Sequence, residues 1–250
     1  MSPLAAVCDW VFDLDNTLYP AAHTLLSEVE VRMTRFIMRE LGLDEAAAAE
    51  IRERYFLSHG ATVAGLAEHH DVNSRDFLEY VHDVAEHGLA PDDELNALIA
   101  ALPGRKIIFT NGGGGHPERV LERIGLTDAF DMIFDIEASG LKPKPNPVAY
   151  ERLIAQCHVD PARAVMIEDT LRNLPPAKEL GFTTVLVGAV HPDPKPSYLD
   201  YWAHDLKAFL QTAVRSGAFF SRSVKRFCVR KCAPSISSAL SGRETASHFP

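Results

Sequence analysis

Short apolar runs recur along the chain in a way that predicts a buried parallel sheet. Each run is rich in Val, Ile or Phe, which is typical of strands covered on both faces. Helical patterns fill the gaps between the later runs, as in His116–Ile124 and Asn146–Cys157, and each of these helices carries a proline at its start. Strands that alternate with helices predict an α/β fold, a doubly wound Rossmann-like sheet. The predicted strands are Val7–Leu14, Lys106–Thr110, Met132–Ile136, Ala164–Ile167 and Thr184–Val187.

The interval between the first two predicted strands breaks this alternation. It has no strand pattern, and its apolar residues follow the 3.6-residue spacing of helices. The interval is several times longer than the roughly one dozen residues that a crossover connection needs. We therefore expect a helical cap at 21–102, inserted into a core formed by 1–20 and 103–214. The alternative is that these helices only cover the sheet. The predicted helices are His23–Leu41, Asp44–Phe56, Ser74–Glu86 and Asp92–Ala101.

The charge distribution separates the end of the chain from the rest. Residues 215–250 are rich in serine and hold seven Lys and Arg residues against one acid, although the whole chain has a net charge of -9. Weak apolar periodicity there predicts a basic, disordered tail, which could alternatively touch membrane phosphates or nucleic acid. The remaining body is strongly acidic, which argues against nucleic acid as its partner.

No stretch approaches the ~18 consecutive apolar residues that a membrane-spanning helix requires, so no membrane partner is expected. The first residues lack a positively charged stretch and soon reach Asp9, so a secretory signal is not expected. The sequence therefore predicts a cytoplasmic location.

Polar residues follow three of the predicted strands at the point where each strand ends. In open α/β sheets, ligands bind outside the carboxyl ends of the strands, so these side chains are expected to meet at one edge. Carboxylates gathered there would repel one another, and a hard cation with oxygen ligands relieves that repulsion. The sequence therefore predicts a Mg²⁺ site. The residues are Asp13 and Asp15 after the first strand, Thr110 and Asn111 after the second, and Glu168 and Asp169 after the fourth.

Asp13 and Asp15 point the same way if the strand end is extended, since side chains alternate along a strand. One carboxylate can then attack a phosphorus atom while the other handles the proton of the leaving group. The negative charge of a phosphoester also needs a cation and backbone amides, which Lys142 or Lys144 and the glycine run after Asn111 can provide.

The histidines give a weaker indication of function than these residues. His116 follows the glycine run, and it is either a substrate contact or a polar residue at a helix start. His69, His70 and His82 lie on predicted cap helices and are expected to face solvent.

Four segments in this order resemble the motifs of the haloacid dehalogenase-like hydrolase superfamily. They are D-L-D-N-T-L-Y, F-T-N-G, K-P-N-P-V-A-Y and I-E-D-T-L-R-N-L, and the similarity covers Val7 to Val187. Within the superfamily, the L-Y-P after the first motif, the helical insertion and T-N-G-G-G-G-H are most similar to the pyrimidine 5'-nucleotidase branch.

The resemblance implies a role for each matching residue. Asp13 would be the nucleophile that forms an aspartyl-phosphate, and Asp15 the general acid for the leaving oxygen and then the base for water. Thr110 would hold the phosphoryl group with the backbone of Asn111, and the phosphate lysine would be Lys144 rather than Lys142.

The resemblance also implies a ligand set for Mg²⁺. Asp169, the Asp13 carboxylate and the backbone carbonyl of Asp15 would bind the ion, and Glu168 would lie in its outer shell or reach it through water.

The expected activity is that of a Mg²⁺-dependent phosphomonoesterase acting on nucleoside 5'-monophosphates. Alternatives are a sugar-phosphate phosphatase, a sugar phosphomutase and a non-catalytic binding protein. A haloacid dehalogenase proper needs neither Mg²⁺ nor a second acid, so Asp15 and Asp169 argue against it. The sequence does not identify the preferred phosphoester or the cap residues that select it. It does not indicate the oligomeric state either.

Overall fold

The computed structural model describes residues 7–20, 23–84 and 89–217. Six parallel strands form one sheet in the order β3-β2-β1-β4-β5-β6. This order turns back on itself at β1, which is where doubly wound sheets bind their ligands. The strands are β1 (Asp9–Phe12), β2 (Arg105–Phe109), β3 (Met132–Phe134), β4 (Ala164–Glu168), β5 (Thr183–Val187) and β6 (Tyr201–Ala203).

β1 lies at the centre of the sheet and is buried on both faces. It pairs with β2 on one side and with β4 on the other. Trp10 and Phe12 belong to the apolar cluster on one face, while Val11 belongs to the cluster on the opposite face. Because both faces are covered, Trp10, Val11 and Phe12 are consecutive apolar residues, and Asp9 at the start of the strand is paired with Arg105.

Helices cover both faces of the sheet, which confirms the predicted doubly wound α/β class. The Trp10 face packs against α5, α6 and α9, and the Val11 face packs against α7 and α8. These helices are α5 (Asp93–Ala101), α6 (His116–Arg123), α7 (Pro147–Cys157), α8 (Leu174–Glu179) and α9 (Leu206–Gly217).

The predicted helical insertion after the first strand is also present. Helix α1 packs against α2 and α4, and α3 packs against the same two helices, so the four form a small bundle. Helix α5, by contrast, packs against α9 beside the sheet. The bundle consists of α1 (His23–Leu41), α2 (Glu45–His59), α3 (Thr62–His69) and α4 (Ser74–His82).

The domain boundaries at 21–102 and 215–250 stay predictions. Helix α9 continues to Gly217, so its last residues fall inside the segment predicted as a tail. Residues 218–250 lie outside the described part of the chain, as do 85–88 at the end of the predicted helix Ser74–Glu86.

The sequence prediction omitted α3, β6 and α9. Helix α3 contains Gly65, which weakens a helical pattern. A β-carbon at Gly65 would lie 2.3 Å from the Tyr55 ring, so the glycine lets α2 and α3 approach each other closely. Strand β6 is three half-buried residues at the sheet edge, too short for a periodic signal.

Within the described residues, none of the helices combines the length and the apolar character needed to cross a membrane.

Candidate active site

Asp13 directly follows β1 at the carboxyl edge of the sheet. Its backbone N–H donates to the Ile167 carbonyl at 2.9 Å, which continues the pairing with β4. The chain then turns, with Asn16 at a φ of 64° and the amides of Thr17 and Leu18 donating to the Leu14 carbonyl. This turn brings Thr17 Oγ1 back to donate to Asp13 Oδ2 at 3.0 Å. The Asp13 carboxylate is thus buried and held in one orientation.

Lys144 is the central cation of the site. It is 1% exposed. Its Nζ donates to Asp13 Oδ1 at 2.6 Å, to Glu168 Oε2 at 2.8 Å and to the Phe109 carbonyl at 2.8 Å, so all three ammonium protons are used. Asn111 fixes the backbone of the same residue: its Oδ1 accepts from Lys144 N at 2.8 Å, and its Nδ2 donates to Lys144 O at 3.0 Å.

Three carboxylates share this single lysine. Burial raises the pKa of Asp13 to about 7, with the charge of Glu168 acting in the same direction and Lys144 opposing both. Burial also raises the pKa of Glu168, against the effect of Lys144. The pKa of Asp169 is raised by burial and then by the charge of Asp13. The edge of the sheet therefore holds more negative charge than Lys144 can balance.

This acidic cluster of Asp13, Glu168 and Asp169 fits a divalent cation. One oxygen from each carboxylate can be chosen so that all three lie within 4.8 Å of one another. Oxygen donors and excess negative charge are what Mg²⁺ prefers. The resemblance implies that Glu168 lies in the outer shell or reaches the ion through water, and its carboxylate lies within this group of oxygens. The Asp15 carboxylate is not part of this cluster and has hydrogen-bond partners of its own.

Asp15 is surrounded by hydrogen-bond donors. His116 Nε2 lies 2.9 Å from Asp15 Oδ1, and the Tyr19 hydroxyl donates to the same oxygen. The Thr110 hydroxyl lies 3.5 Å from Oδ2. Burial raises the pKa of Asp15, but the hydrogen bond and charge of His116 and the hydrogen bond of Tyr19 outweigh it and bring the pKa to about 2. Asp15 is therefore ionised at neutral pH.

His116 also connects the core to the inserted helices. Its ring stacks on His82 of α4 at a centroid distance of 4.6 Å. His82 is 8% exposed, so the prediction that it faces solvent is wrong. Burial and the charge of His116 lower the pKa of His82 to about 3. Arg119 of α6 strengthens the contact by donating from Nη2 to the His82 carbonyl at 2.9 Å.

The glycine run passes directly beneath α4. Gly114 has a φ of +61°, and a β-carbon on it would lie 2.6 Å from the Leu78 carbonyl carbon and 2.7 Å from Glu79 N. A side chain at Gly114 would therefore collide with the α4 backbone.

A cavity of about 590 Å³ opens beside Asp15, between the sheet edge and the inserted helices. We call it the cap cavity. Arg52 on its wall donates from Nη1 to the Glu30 carbonyl at 3.1 Å and to Thr34 Oγ1 at 3.0 Å. Phe56 is 45% exposed, and the Arg172 guanidinium lies 4.9 Å from its ring centroid. The residues lining it include Asp15, Asn111, Gly112 and His116 from the core and Val29, Glu30, Met33, Arg52, Glu53, Phe56, Thr62 and His82 from the inserted helices.

The family model of haloacid dehalogenase-like hydrolases matches residues 11–181, which include the acidic cluster, Lys144 and Asp15. The chain belongs to this family. The superfamily expected from the four motifs is thus confirmed, and the pyrimidine 5'-nucleotidase branch stays a prediction.

Two relatives and one solved structure illustrate the range of this haloacid dehalogenase-like family. Phosphate metabolism protein 8 of Saccharomyces cerevisiae is 29% identical over 70% of this chain and 60% of its own length, so the match spans less than two thirds of that protein. The N-acetylmuramic acid 6-phosphate phosphatase of Pseudomonas aeruginosa is 24% identical over 78% of this chain and 88% of its own. The crystal structure of a HAD phosphatase from Thermococcus onnurineus has a TM-score of 0.56 at 20% identity. It covers 82% of this chain and 97% of that one, and it supports the fold.

The structure brings most of the predicted site residues together. Lys144 bonds directly to Asp13 and Glu168, while Lys142 is exposed and lines a different cavity. Asp15 lies beside Thr110, and Asn111 holds the Lys144 backbone.

Sequence reasoning assigned no role to Thr17, Tyr19 or His82. Thr17 and Tyr19 each lie four residues after the acid they contact, which was the available signal. The contact between His82 and His116 joins distant parts of the chain and had no local signal.

Proposed function

We propose that this haloacid dehalogenase-like hydrolase is a Mg²⁺-dependent phosphomonoesterase that works through an aspartyl-phosphate on Asp13. The observation that carries the proposal is the buried arrangement of Asp13, Lys144 and Glu168 with Asp15 beside it at the carboxyl edge of the sheet. Such an arrangement supplies a positioned nucleophile, charge neutralisation and a proton carrier in one place.

In the first half of the reaction, an Asp13 oxygen attacks phosphorus and the bond to the leaving oxygen breaks. Lys144 and Thr17 hold the Asp13 carboxylate in place for this attack. The leaving oxygen takes its proton from Asp15. In the free protein the pKa of Asp15 is about 2. The negative charge of an approaching phosphoester raises the pKa of Asp15, because like charges disfavour its ionised form, and so allows it to carry that proton.

In the second half, water attacks the phosphorus of the aspartyl-phosphate. Asp15, now ionised, accepts the proton of the water, and the bond between phosphorus and Asp13 breaks. Inorganic phosphate leaves and Asp13 is regenerated. His116 and Tyr19 keep the Asp15 carboxylate in the same orientation in both halves.

Asp13 and Asp169 would hold Mg²⁺, with the backbone carbonyl of Asp15 as a third ligand and Glu168 close by. When bound, the ion supplies a positive charge that stabilises the transferring phosphoryl group. Thr110 and the amide of Asn111 are proposed to contact the phosphoryl oxygens.

The proposed substrates are nucleoside 5'-monophosphates, small phosphorylated metabolites of the cytoplasm. The cap cavity, about 590 Å³, has the size of a small-molecule site. Val29, Met33 and Phe56 give it apolar surface for a base, and Arg52 and Thr62 give it polar groups for a ribose.

A sugar phosphate is the second candidate. The relative from Pseudomonas aeruginosa is named for a sugar 6-phosphate, and Glu30 and Glu53 of the cap cavity can accept hydrogen bonds from sugar hydroxyls.

A phosphate-release screen tests the proposal. Purified protein with Mg²⁺ is incubated with nucleoside monophosphates, hexose phosphates and phosphoglycolate, and inorganic phosphate is measured before and after addition of EDTA. We expect release that is fastest with a nucleoside 5'-monophosphate and is reversibly stopped by EDTA. If all esters stay intact, the binding-protein alternative replaces the phosphatase.

Two further measurements separate the remaining alternatives. Conversion of a hexose 1-phosphate into its isomer with little phosphate release would establish a phosphomutase instead. In Asp15→Asn, with p-nitrophenyl phosphate, whose leaving group needs no proton, the intermediate should form but its hydrolysis should slow, and mass spectrometry should find phosphate on Asp13. Absence of this adduct in rapid-quench samples would argue against the covalent route.

A further inference from the structure

We infer that the inserted helices carry a second metal site, for Zn²⁺ or a similar late first-row cation, formed by His59, Glu68 and His69. His59 ends α2, and the other two residues end α3. The two Nε2 atoms lie 3.2 Å apart, and each lies 3.9 Å from an oxygen of the Glu68 carboxylate. These three ligand atoms face one another across the turn between the helices.

The type of donor favours zinc over magnesium. Two imidazole nitrogens and one carboxylate oxygen are a usual zinc set, whereas the acidic cluster offers Mg²⁺ only oxygens. Ligand atoms about 2.1 Å from a tetrahedral ion lie about 3.4 Å from one another. The two histidines already have this separation. The two 3.9 Å distances reach different oxygens of Glu68, so its side chain, which is 58% exposed, must turn to bring one oxygen closer to both nitrogens.

A hydrogen bond outside the triad fixes the ring of His59 for metal binding. The Ser58 hydroxyl donates its single proton to the Arg54 carbonyl at 2.7 Å. Ser58 Oγ also lies 2.7 Å from His59 Nδ1, so it must accept there, and the proton of His59 is on Nδ1. The lone pair of His59 Nε2 is consequently directed at His69. Metal-bound histidines are commonly oriented by such a bond on the other ring nitrogen.

Tyr55 holds both imidazole rings from behind. Its ring stacks on His69 at 5.4 Å and meets His59 edge-on at 5.4 Å. The Tyr55 ring is buried, and its hydroxyl is paired with His70 Nε2 at 2.6 Å. His70 is thereby occupied, which leaves His59 and His69 as the pair that faces the carboxylate.

The site lies apart from the acidic cluster, at the junction of the insertion and the core. His59 and Glu68 line a cavity of about 370 Å³ whose opposite wall includes Pro143 and Asn146. Lys142 lies on the same wall. Since Lys142 is a cation, its removal should strengthen metal binding rather than weaken it.

Titration of the full chain with Co²⁺ and Zn²⁺ tests the inference. Excess Mg²⁺ is present to occupy the acidic cluster, visible absorption reports tetrahedral Co²⁺, and Zn²⁺ is added as competitor. We expect saturable one-to-one binding that His69→Ala and Glu68→Gln each weaken by about 10-fold or more. Ser58→Ala should cause a smaller loss. His158→Asn is the matched control, because this exposed histidine has a φ of 52°, which asparagine tolerates.

Several outcomes would overturn the site. Wild-type protein that shows no tetrahedral Co²⁺ spectrum, or His69→Ala and Glu68→Gln that bind as tightly as His158→Asn, would each do so. Circular dichroism of each variant checks its fold. Zn²⁺ should raise the Tm of wild type and of His158→Asn but not of His69→Ala, which is independent of phosphatase activity.

Discussion

The carboxyl edge of the sheet and the helical wall of the cap cavity face the same space but are built differently. At the edge, Lys144 is 1% exposed and donates three short hydrogen bonds, two of them to carboxylates. On the wall, Phe56 is 45% exposed and Val29 and Met33 offer apolar surface to the opening. The edge is a closed network, and the wall is an open surface.

Under the proposed function, the edge carries out the reaction and the wall of the cap cavity selects the substrate. Residues at the edge are placed by strand ends and by bonds to one another, so a change in one of them disturbs the others. Exposed residues on the wall, such as Phe56, are placed by a helix and depend less on their neighbours, so they can change one at a time. We therefore expect edge variants to lose turnover or stability and wall variants to change substrate affinity.

Asp13→Asn should have the largest effect. It removes the proposed nucleophile but keeps the shape of the side chain, so kcat should fall about 10⁴-fold or more. Asp128→Asn, at an exposed acid, is the control and should keep wild-type kcat. Steady-state phosphate release measures both. Substantial residual turnover in Asp13→Asn would mean that the nucleophile lies elsewhere.

Lys144→Met should destabilise the protein strongly. It leaves Asp13 and Glu168 buried without their cation, and breaking a buried pair costs about 3–5 kcal/mol. Lys142→Met removes a neighbouring but exposed lysine and should change the free energy of unfolding by about 0.5 kcal/mol or less. Denaturant titration compares the two. Equal effects would show that the edge network does not depend on Lys144.

The contribution of Asp13 to the stability of the metal-free protein should fall as pH rises from about 4 to about 7, while buried His82, whose pKa is lowered, contributes in the opposite direction. The pKa of Asp13 is about 7 in the folded protein against an ordinary value of 3.8, so the folded state binds this proton more tightly. Stability from that proton is present at low pH and is lost as Asp13 ionises. Asp13→Asn should remove this contribution, so that its stability relative to wild type increases over this pH range and it is the more stable protein at alkaline pH in EDTA. If the free energies of unfolding of the two proteins changed with pH in parallel, the raised pKa of Asp13 would be contradicted.

Phe56→Ala should have the smallest effect and a different character. Removing its ring takes apolar surface from the cap cavity, so KM should rise about 3- to 10-fold while kcat changes little. Leu57→Ala, at the adjacent and more exposed position on α2, is the control and should leave both constants unchanged. A fall in kcat for Phe56→Ala would indicate that Phe56 affects turnover, as expected for residues at the sheet edge, and not only substrate affinity.

Much of the edge could be predicted from sequence because it depends on local order. Asp13, Thr110 and Glu168 directly follow or end apolar strands, and parallel strands bring their ends to one side. The separation of Lys144 from Lys142 by the structure rests on burial, which one sequence does not report.

The wall could not be predicted in the same way. Its residues come from several helices whose mutual packing depends on contacts such as Gly65 against Tyr55. His82 was expected to face solvent because α4 alone does not reveal that His116 and Arg119 cover it. Helix α3 was missed because a glycine that permits close packing has the same letter as a glycine that breaks a helix.

The close approach of Gly114 to α4 has a consequence for engineering. A chimaera that combined this core with the helical insertion of another enzyme would inherit the new substrate preference only if the new helix could settle at the same depth. A β-carbon at Gly114 would lie 2.6 Å from the Leu78 carbonyl carbon, so any other residue at position 114 would keep the grafted helix from packing as closely against the core. The glycine run should therefore be preserved, or transplanted together with the grafted helices.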